Sequence, residues 1–309
     1  MSLSPIVIFA YNRPSLLKQT IDALQKNYLA DLSDLIIYAD GSKNSNDLNS
    51  VNEVRTYLKT ITGFKSVKII ERERNYGLSV SIIDGVTSIV NTYGRIIVLE
   101  DDLITSPYYL KFINDALNMY EKDEEVISVQ GYVYPSKINL PEYFFIKGAD
   151  CQGWATWKRG WDLFEADGNK LLNELRQKNL IKDFNFDNNY SYFKMLEGQA
   201  KGIINSWAIR WYASAYLKNK FTLYPGKSLI FNTGFSNDGT NTNNEYLSNN
   251  FNSKINLEKI GLERIPIENS ILGRKAFINF FIGLNLWKNP KALLKHIFIK
   301  LFKRKNAIS

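Results

Sequence analysis

Three consecutive carboxylates, Glu100, Asp101 and Asp102, close the apolar run Ile96-Ile97-Val98-Leu99. An unbroken β-branched and aliphatic run of that length predicts a short strand buried on both faces, as inside a parallel sheet. Three acids cannot follow it into a core, because unpaired buried charge is too costly. They are expected at the strand's C-terminal edge, where open α/β sheets place their ligands. Oxygen donors crowded at such an edge suit Mg²⁺ or Mn²⁺. The local pattern leaves a second reading open, a solvated turn in which Asp102 caps a helix.

Other charged and polar residues recur at the ends of neighbouring runs. The stretch 5–10 predicts a first strand and ends in Tyr11-Asn12-Arg13-Pro14. Leu16, Leu17, Thr20, Ile21 and Leu24 then repeat at helical spacing, with Pro14 suited to the helix start. A second strand over 34–39 ends in Asp40-Gly41, and a helix over 48–61 follows. A third strand over 67–70 runs into Arg74-Asn75-Tyr76-Gly77, and a helix over 79–91 leads to the acidic strand. Pro107 precedes a helix bearing Tyr109, Phe112, Ile113, Ala116 and Leu117, and 126–129 predicts a further strand. The alternation defines an α/β class with a mostly parallel central sheet flanked by helices. Arg13, Asp40, Arg74 with Asn75, and Glu100 to Asp102 then converge on one crevice. Arginines for phosphates, an acid for a base or ribose and acids for a metal make a nucleoside-diphosphate site. No phosphate-binding G-x-x-x-x-G-K-[ST] loop occurs, and the first turn lacks the glycines of a dinucleotide fold.

Beyond Gly131 the alternation weakens and aromatic residues become dense. Trp154, Trp157 and Trp161 stand three and four apart, which predicts one helical face. Core packing is the default for each; Trp154 is singled out because Gly153 precedes it at an expected loop-to-helix junction. Helices are predicted over 171–180 and 190–200 and from Asn205-Ser206-Trp207 onward, then strands over 221–224 and 228–231. The polar run 232–256 is long for a structureless loop, and Gly234 and Gly239 frame polar donors as a closing lid requires. Simple disorder is the alternative. Phe277, Phe280, Phe281, Leu284, Leu286 and Trp287 form an apolar patch. After Pro290 comes a basic amphipathic stretch, Leu293, Ile297 and Leu301 opposing Lys291, Lys295 and Lys303. It reads as a helix lying on an anionic membrane surface, or alternatively packing on the body or in a homodimer.

The formal charge of +8 is local. All nine basic residues after Asn269 stand without an acid, which leaves 30 basic against 31 acidic residues before it. A neutral body argues against a nucleic-acid partner. One histidine, His296, excludes a histidine-built zinc site or catalytic triad, and the single Cys151 fits a reducing compartment. No secretory signal and no membrane-spanning run is read, so the expected placement is cytoplasmic, peripheral on the cytoplasmic face of the membrane. The expected organisation is a nucleotide-binding half over 1–131, a second half over 132–256 with its loop at 232–256, and a helical basic extension over 257–309.

Taken together and in order, these motifs resemble the GT-A glycosyltransferases over about residues 5–241. The resemblance is to family 2-like bacterial sugar transferases and to the eukaryotic N-acetylglucosaminyltransferase that starts complex N-glycans. It rests on Phe9 to Pro14, Asp40-Gly41, Arg74-Asn75 with Gly77-Leu78, Leu99 to Leu103, Gly153 to Trp157 and the loop 234–241. It implies a nucleotide-sugar donor, UDP-linked by expectation, and Mn²⁺ or Mg²⁺ held through Asp102. Arg13 and Asp40 would hold the nucleoside end, with Arg74, Asn75, Gly77, Glu100 and Asp101 completing the donor site. Gly153 and Trp154 would line the donor sugar and acceptor. The resemblance implies transfer, with inversion expected, to a glycan or lipid-linked acceptor in surface polysaccharide synthesis. The eukaryotic relative carries its general base in an Asp-Asp-Trp stretch, where this chain has Asn205-Ser206-Trp207. Bacterial relatives show Gly-Phe-Asp and Gly-Thr-His in the loop, where this chain has Ser236 and Asn241. Asp150 and Asp238 are therefore the candidate bases. A catalytically silent sugar-binding protein and a nucleotidyltransferase are the competing readings.

Overall fold

A computed structural model describes residues 3–235 and 251–288. The first four strands are β1 (Ile6–Ala10), β2 (Asp34–Ala39), β3 (Ser66–Glu71) and β4 (Arg95–Glu100). They are joined by helices α1 (Pro14–Gln25), α2 (Leu48–Leu58) and α3 (Leu78–Tyr93). All four strands run parallel in the spatial order β3-β2-β1-β4. The runs of β1, β2 and β4 are apolar because both their faces are covered, whereas the edge strand β3 is partly exposed. Ile6, Ile8, Ile97 and Leu99 join a layer with Leu17, Ile21 and Leu24 of α1. Val7, Phe9, Ile96 and Val98 join the opposite layer with Ile82, Val86 and Ile89 of α3. Full burial of each such side chain contributes about 1.5–3 kcal/mol.

The strand order reverses at β1. The chain builds β2 and β3 on one side of it and then returns to place β4 on the other. That reversal opens a crevice at the C-terminal ends of β1 and β4, the place where such sheets bind ligands. Arg13 follows one strand and Asp101 the other.

Past β4 the sheet stays mostly parallel but admits two antiparallel strands, β8 and β7. Helix α4 (Tyr109–Met119) precedes β6 (Val126–Gln130), β7 (Tyr143–Lys147), β8 (Trp154–Trp157) and β9 (Phe221–Pro225). Strand β8 lies antiparallel between β4 and β6, β9 runs parallel to β6, and β7 closes the edge antiparallel to β9. One eight-stranded sheet therefore passes through both sequence halves. A separate ribbon pairs β5 (Leu103–Thr105) antiparallel with β10 (Ile230–Asn232).

The three tryptophans do not share a helical face. Trp154 and Trp157 lie on β8, and an odd spacing on a strand sends them to opposite sides. Trp157 joins the layer of α1, while Trp154 and Trp161 join that of α3. Ser206 is the N-cap of helix α5 (Trp207–Leu217), its Oγ accepting the Ile209 N–H at 3.3 Å. The C-terminal helix Ile271–Lys288 buries Phe277, Phe281 and Leu284 against a third apolar cluster, so this part of the patch packs on the body. Among the described residues no helix is long and apolar enough to cross a membrane. The amphipathic stretch around Leu293 to Lys305 lies outside the described residues.

Candidate functional site

Asp40 ends β2 with its carboxylate turned onto backbone. It accepts N–H groups from Gly41 at 3.0 Å, Tyr76 at 2.8 Å and Gly77 at 2.9 Å. Asn75 donates its side-chain amide to the Gly41 carbonyl at 2.9 Å. A Cβ on Gly41 would lie 2.5 Å from the Arg74 carbonyl carbon, so only glycine lets the two strand-end loops touch. Gly77, at φ +74°, sits at the start of α3. The structure thus brings Asp40, Asn75 and Gly77 together as expected, but Asp40 holds the loop instead of presenting free oxygens to a nucleoside. Arg74 is exposed beside them, its guanidinium 5.6 Å from the Tyr76 ring centre.

Arg13, expected with Asp40 at the nucleoside end, here reaches across the switch point to the acidic triplet. Its Nη1 donates to Asp102 Oδ2 at 2.9 Å, its Nε to Asp101 at 3.3 Å, and its Nη2 makes a close ion pair with Asp101. Burial opposes the Arg13 charge, but Asp101 and Asp102 hold its pKa above the ordinary value. Burial pushes Glu100 up, with Asp102 and Asp101 adding to the rise. Asp101 is also raised by burial, against the pull of Arg13.

Asp102 is 8% exposed and built into the β5–β10 ribbon. Its backbone carbonyl accepts Thr233 N–H at 2.8 Å and Thr233 Oγ1 at 2.9 Å. A Cβ on Gly234 would come 2.1 Å from Asp102 Oδ2, so glycine is the residue that can lie over this carboxylate. Asn232 exchanges two hydrogen bonds with Asn252, at 2.9 and 2.7 Å. Residues on either side of 236–250 therefore meet beside Asp102. Sequence reasoning named Gly234 only as a hinge and missed Asn232 and Thr233, whose partners lie far away in the chain.

Gly153 adopts φ +62° and accepts the Gly131 N–H at 2.7 Å, joining β6 to the start of β8. Trp154 does not line a ligand surface. It is 1% exposed, with Trp207, Trp211 and Trp161 ring centres 5.5–5.8 Å away. Asp150 is half-buried and accepts the Cys151 N–H at 2.9 Å. Burial raises its carboxyl above the usual range, opposed by hydrogen bonds from Cys151 and the Tyr134 hydroxyl. Burial also raises the Cys151 thiol, and the Asp150 and Glu100 charges add to it, which ties the base candidate to the acidic triplet. Tyrosines 132, 190, 192 and 224, all raised by burial, feel the Asp150 charge next. Only the general aromatic density signalled this tyrosine surround. Asp238, Ser236 and Asn241 lie outside the described residues.

No group of three or more His, Cys, Asp or Glu able to hold a metal is found among the described residues. One carboxylate edge, Asp102, already faces a cationic guanidinium, and Mg²⁺-type ions are commonly held by one or two carboxylates plus substrate phosphates.

Residues 6–162 match the family Glycosyl transferase family 2, and the chain belongs to it. The matched span holds the whole parallel half-sheet, the acidic triplet and the Asp150–Trp154 segment. No curated protein sequence matches the chain. Among solved structures it is similar to S. aureus TarS 1-349, with 11% identity over 75% of this chain and 61% of that chain, at TM-score 0.40. TarS 1-349 in complex with UDP-GlcNAc gives 10% identity, 74% and 58% coverage and TM-score 0.41. The mannosyltransferase PcManGT from Pyrobaculum calidifontis, in complex with GDP-Man and Mn²⁺, gives 12% identity, 42% and 36% coverage and TM-score 0.31. The chain spans about three fifths of the length of TarS 1-349.

Proposed function

We propose that this glycosyltransferase moves a sugar from a nucleoside-diphosphate donor to a hydroxyl of a glycan or lipid-linked acceptor, with inversion, in surface polysaccharide synthesis. The observation that supports it best is the convergence of Arg13, Glu100 to Asp102 and Gly234 on the β1–β4 switch point of a family 2 sheet. A divalent cation, Mn²⁺ or Mg²⁺, when bound would offset charge on the departing diphosphate. Asp102 would hold it, and Arg13 would meet phosphate oxygens. Asp150, a carboxylate that burial makes more basic, would take the proton from the acceptor hydroxyl. Tyr134 would fix its orientation. Ser206 caps a helix and offers no base, which leaves Asp150 as the described candidate.

Incubation with a panel of nucleotide sugars and Mn²⁺ should release free nucleoside diphosphate together with a glycoside or free sugar. Pyrophosphate as product would mean a nucleotidyltransferase. Binding of a donor with no release under any acceptor would mean a sugar-binding protein on this fold.

The basic stretch from Lys288 onward extends this reading to the cytoplasmic face of an anionic membrane. Removing 288–309 should abolish sedimentation with anionic liposomes and leave donor hydrolysis in solution intact. Equal liposome binding by both chains would refute the tether, and a changed subunit number would assign the stretch to a homodimer.

A further inference from the structure

We propose that the C-terminal helix, Ile271–Lys288, is a positioning element for the acceptor side of the site. Phe277, Phe280 and Phe281 hold the Tyr134 ring so that its hydroxyl meets the Asp150 carboxylate. This rests on the reading of Asp150 as the base.

Spaced three and four apart, the phenylalanines share one helical face. All three touch one ring: the Tyr134 centre lies 4.9 Å from Phe277, 4.8 Å from Phe280 and 5.3 Å from Phe281. Phe280 stacks on it, while Phe277 and Phe281 meet it edge-on. Tyr192, at the start of the helix Tyr192–Ala200, supports the same group from a second element. Its hydroxyl is bonded to that of Tyr134, and its ring lies 6.0 Å from Phe281 and 4.6 Å from Tyr212. The C-terminal helix is fastened to the segment leading into that helix. Arg274 pairs with Asp183 at 2.7 Å, and Asn285 donates to the Asn189 carbonyl at 2.6 Å. The family match ends at residue 162, so both supports lie in the part of the chain that it does not describe.

Hydroxyl counting gives this clamp its chemistry. An ionised carboxylate only accepts, so Tyr134 must give its one proton to the bond with Asp150. Tyr192 must then donate to the Tyr134 oxygen, which polarises Tyr134 and strengthens its bond to the carboxylate. Once Asp150 has taken the acceptor proton it can donate instead, and both tyrosine hydrogen bonds can reverse without either ring moving. The pair thereby serves Asp150 in both protonation states. The other ionisable groups facing Asp150 are Cys151, Tyr132, Tyr190, Tyr212 and Tyr224. Burial raises every one of them, so each stays neutral, and among the described residues no cation acts on the carboxylate. Hydrogen bonds therefore carry the whole opposition to burial at Asp150, and they weaken steeply when their angle opens. Holding the Tyr134 ring keeps that angle.

Infrared difference spectra of the full chain, recorded through an acid titration, test this. The protonated-carboxyl band that Asp150→Asn lacks reports the proton affinity of Asp150 without any substrate. Phe280→Leu, at a half-buried position, keeps an apolar side chain and loses the stacked ring. It should raise that affinity roughly threefold, part of the larger rise expected when Tyr134→Phe removes the charged hydrogen bond altogether. Added to Tyr134→Phe it should change nothing further, whereas an effect unconnected with Tyr134 would add in full. Tyr192→Phe removes one hydroxyl and leaves the packing, and it should raise the affinity by less than Tyr134→Phe does. Wild-type titration of Asp150 in a folded Phe280→Leu, or in Tyr192→Phe should the leucine variant not fold, overturns the proposal. So does a full Phe280→Leu effect in the Tyr134→Phe background. If Phe280→Leu moves the infrared titration but leaves the low-pH limb of turnover in place, the positioning stands and the reading of Asp150 as base fails.

Discussion

Asp102→Asn should remove metal-dependent donor binding and turnover while leaving the chain folded. The substitution keeps the size of the side chain and removes the negative oxygen that a hard cation requires. An asparagine retains the backbone contacts of residue 102 to Thr233 and loses only the charge of its pair with Arg13. Asp101 still pairs with Arg13. The expected loss in kcat/KM is on the order of 10²-fold or more, since even groups that only support a metal ligand typically cost 10–100-fold. Calorimetric titration with Mn²⁺ and a nucleoside diphosphate measures the binding, and circular dichroism checks the fold. Unchanged Mn²⁺-dependent affinity would show that Asp102 is not the metal carboxylate.

Asp150→Asn should separate chemistry from donor binding. The proposed base acts on the acceptor, so turnover should fall by a factor on the order of 10² or more while donor affinity changes little. The wild-type pH profile carries a related signature. Burial raises the Asp150 pKa, and a base works only when deprotonated. The rate should therefore fall with decreasing pH at a point above the ordinary carboxylate range, and this limb should vanish in the asparagine variant. Tyr134 opposes the rise by hydrogen-bonding to the carboxylate, so Tyr134→Phe should move the limb to still higher pH. Stability has the opposite sense. A carboxyl whose folded pKa is raised contributes stability that is present below its unfolded pKa and lost as pH rises through the folded value. Above the folded value the ionised Asp150 opposes folding, and there Asp150→Asn should melt at or above the wild-type temperature. Wild-type turnover in this variant would refute the role.

The parallel half of the fold was readable because its inner strands β1, β2 and β4 are buried on both faces. Ile6 to Ala10 and Ile96 to Leu99 are therefore apolar without interruption, and their ends are marked by charge. The same reasoning failed at Trp154 to Trp161, where spacings of three and four imitate a helix. A four-residue strand carries too little periodicity to be told from a helical turn. What fixes it is pairing with β4 and β6, both distant in sequence. The site divides in the same way. That polar groups would gather at the strand ends followed from topology. Which of them would pair did not, since Arg13 meets carboxylates 88 and 89 positions away. Asp40 looked like a nucleoside ligand because nothing local shows that the amides of Tyr76 and Gly77 fold back onto it.

The most direct test locates the cation and the diphosphate together. Crystals grown with Mn²⁺ and a nucleoside diphosphate, measured at the manganese edge, should show one anomalous peak within about 2.5 Å of the Asp102 carboxylate. The diphosphate should bridge from it toward Arg13, at the C-terminal ends of β1 and β4. Manganese and nucleotide bound at any other crevice, with Asp102 still paired to Arg13, would contradict the account.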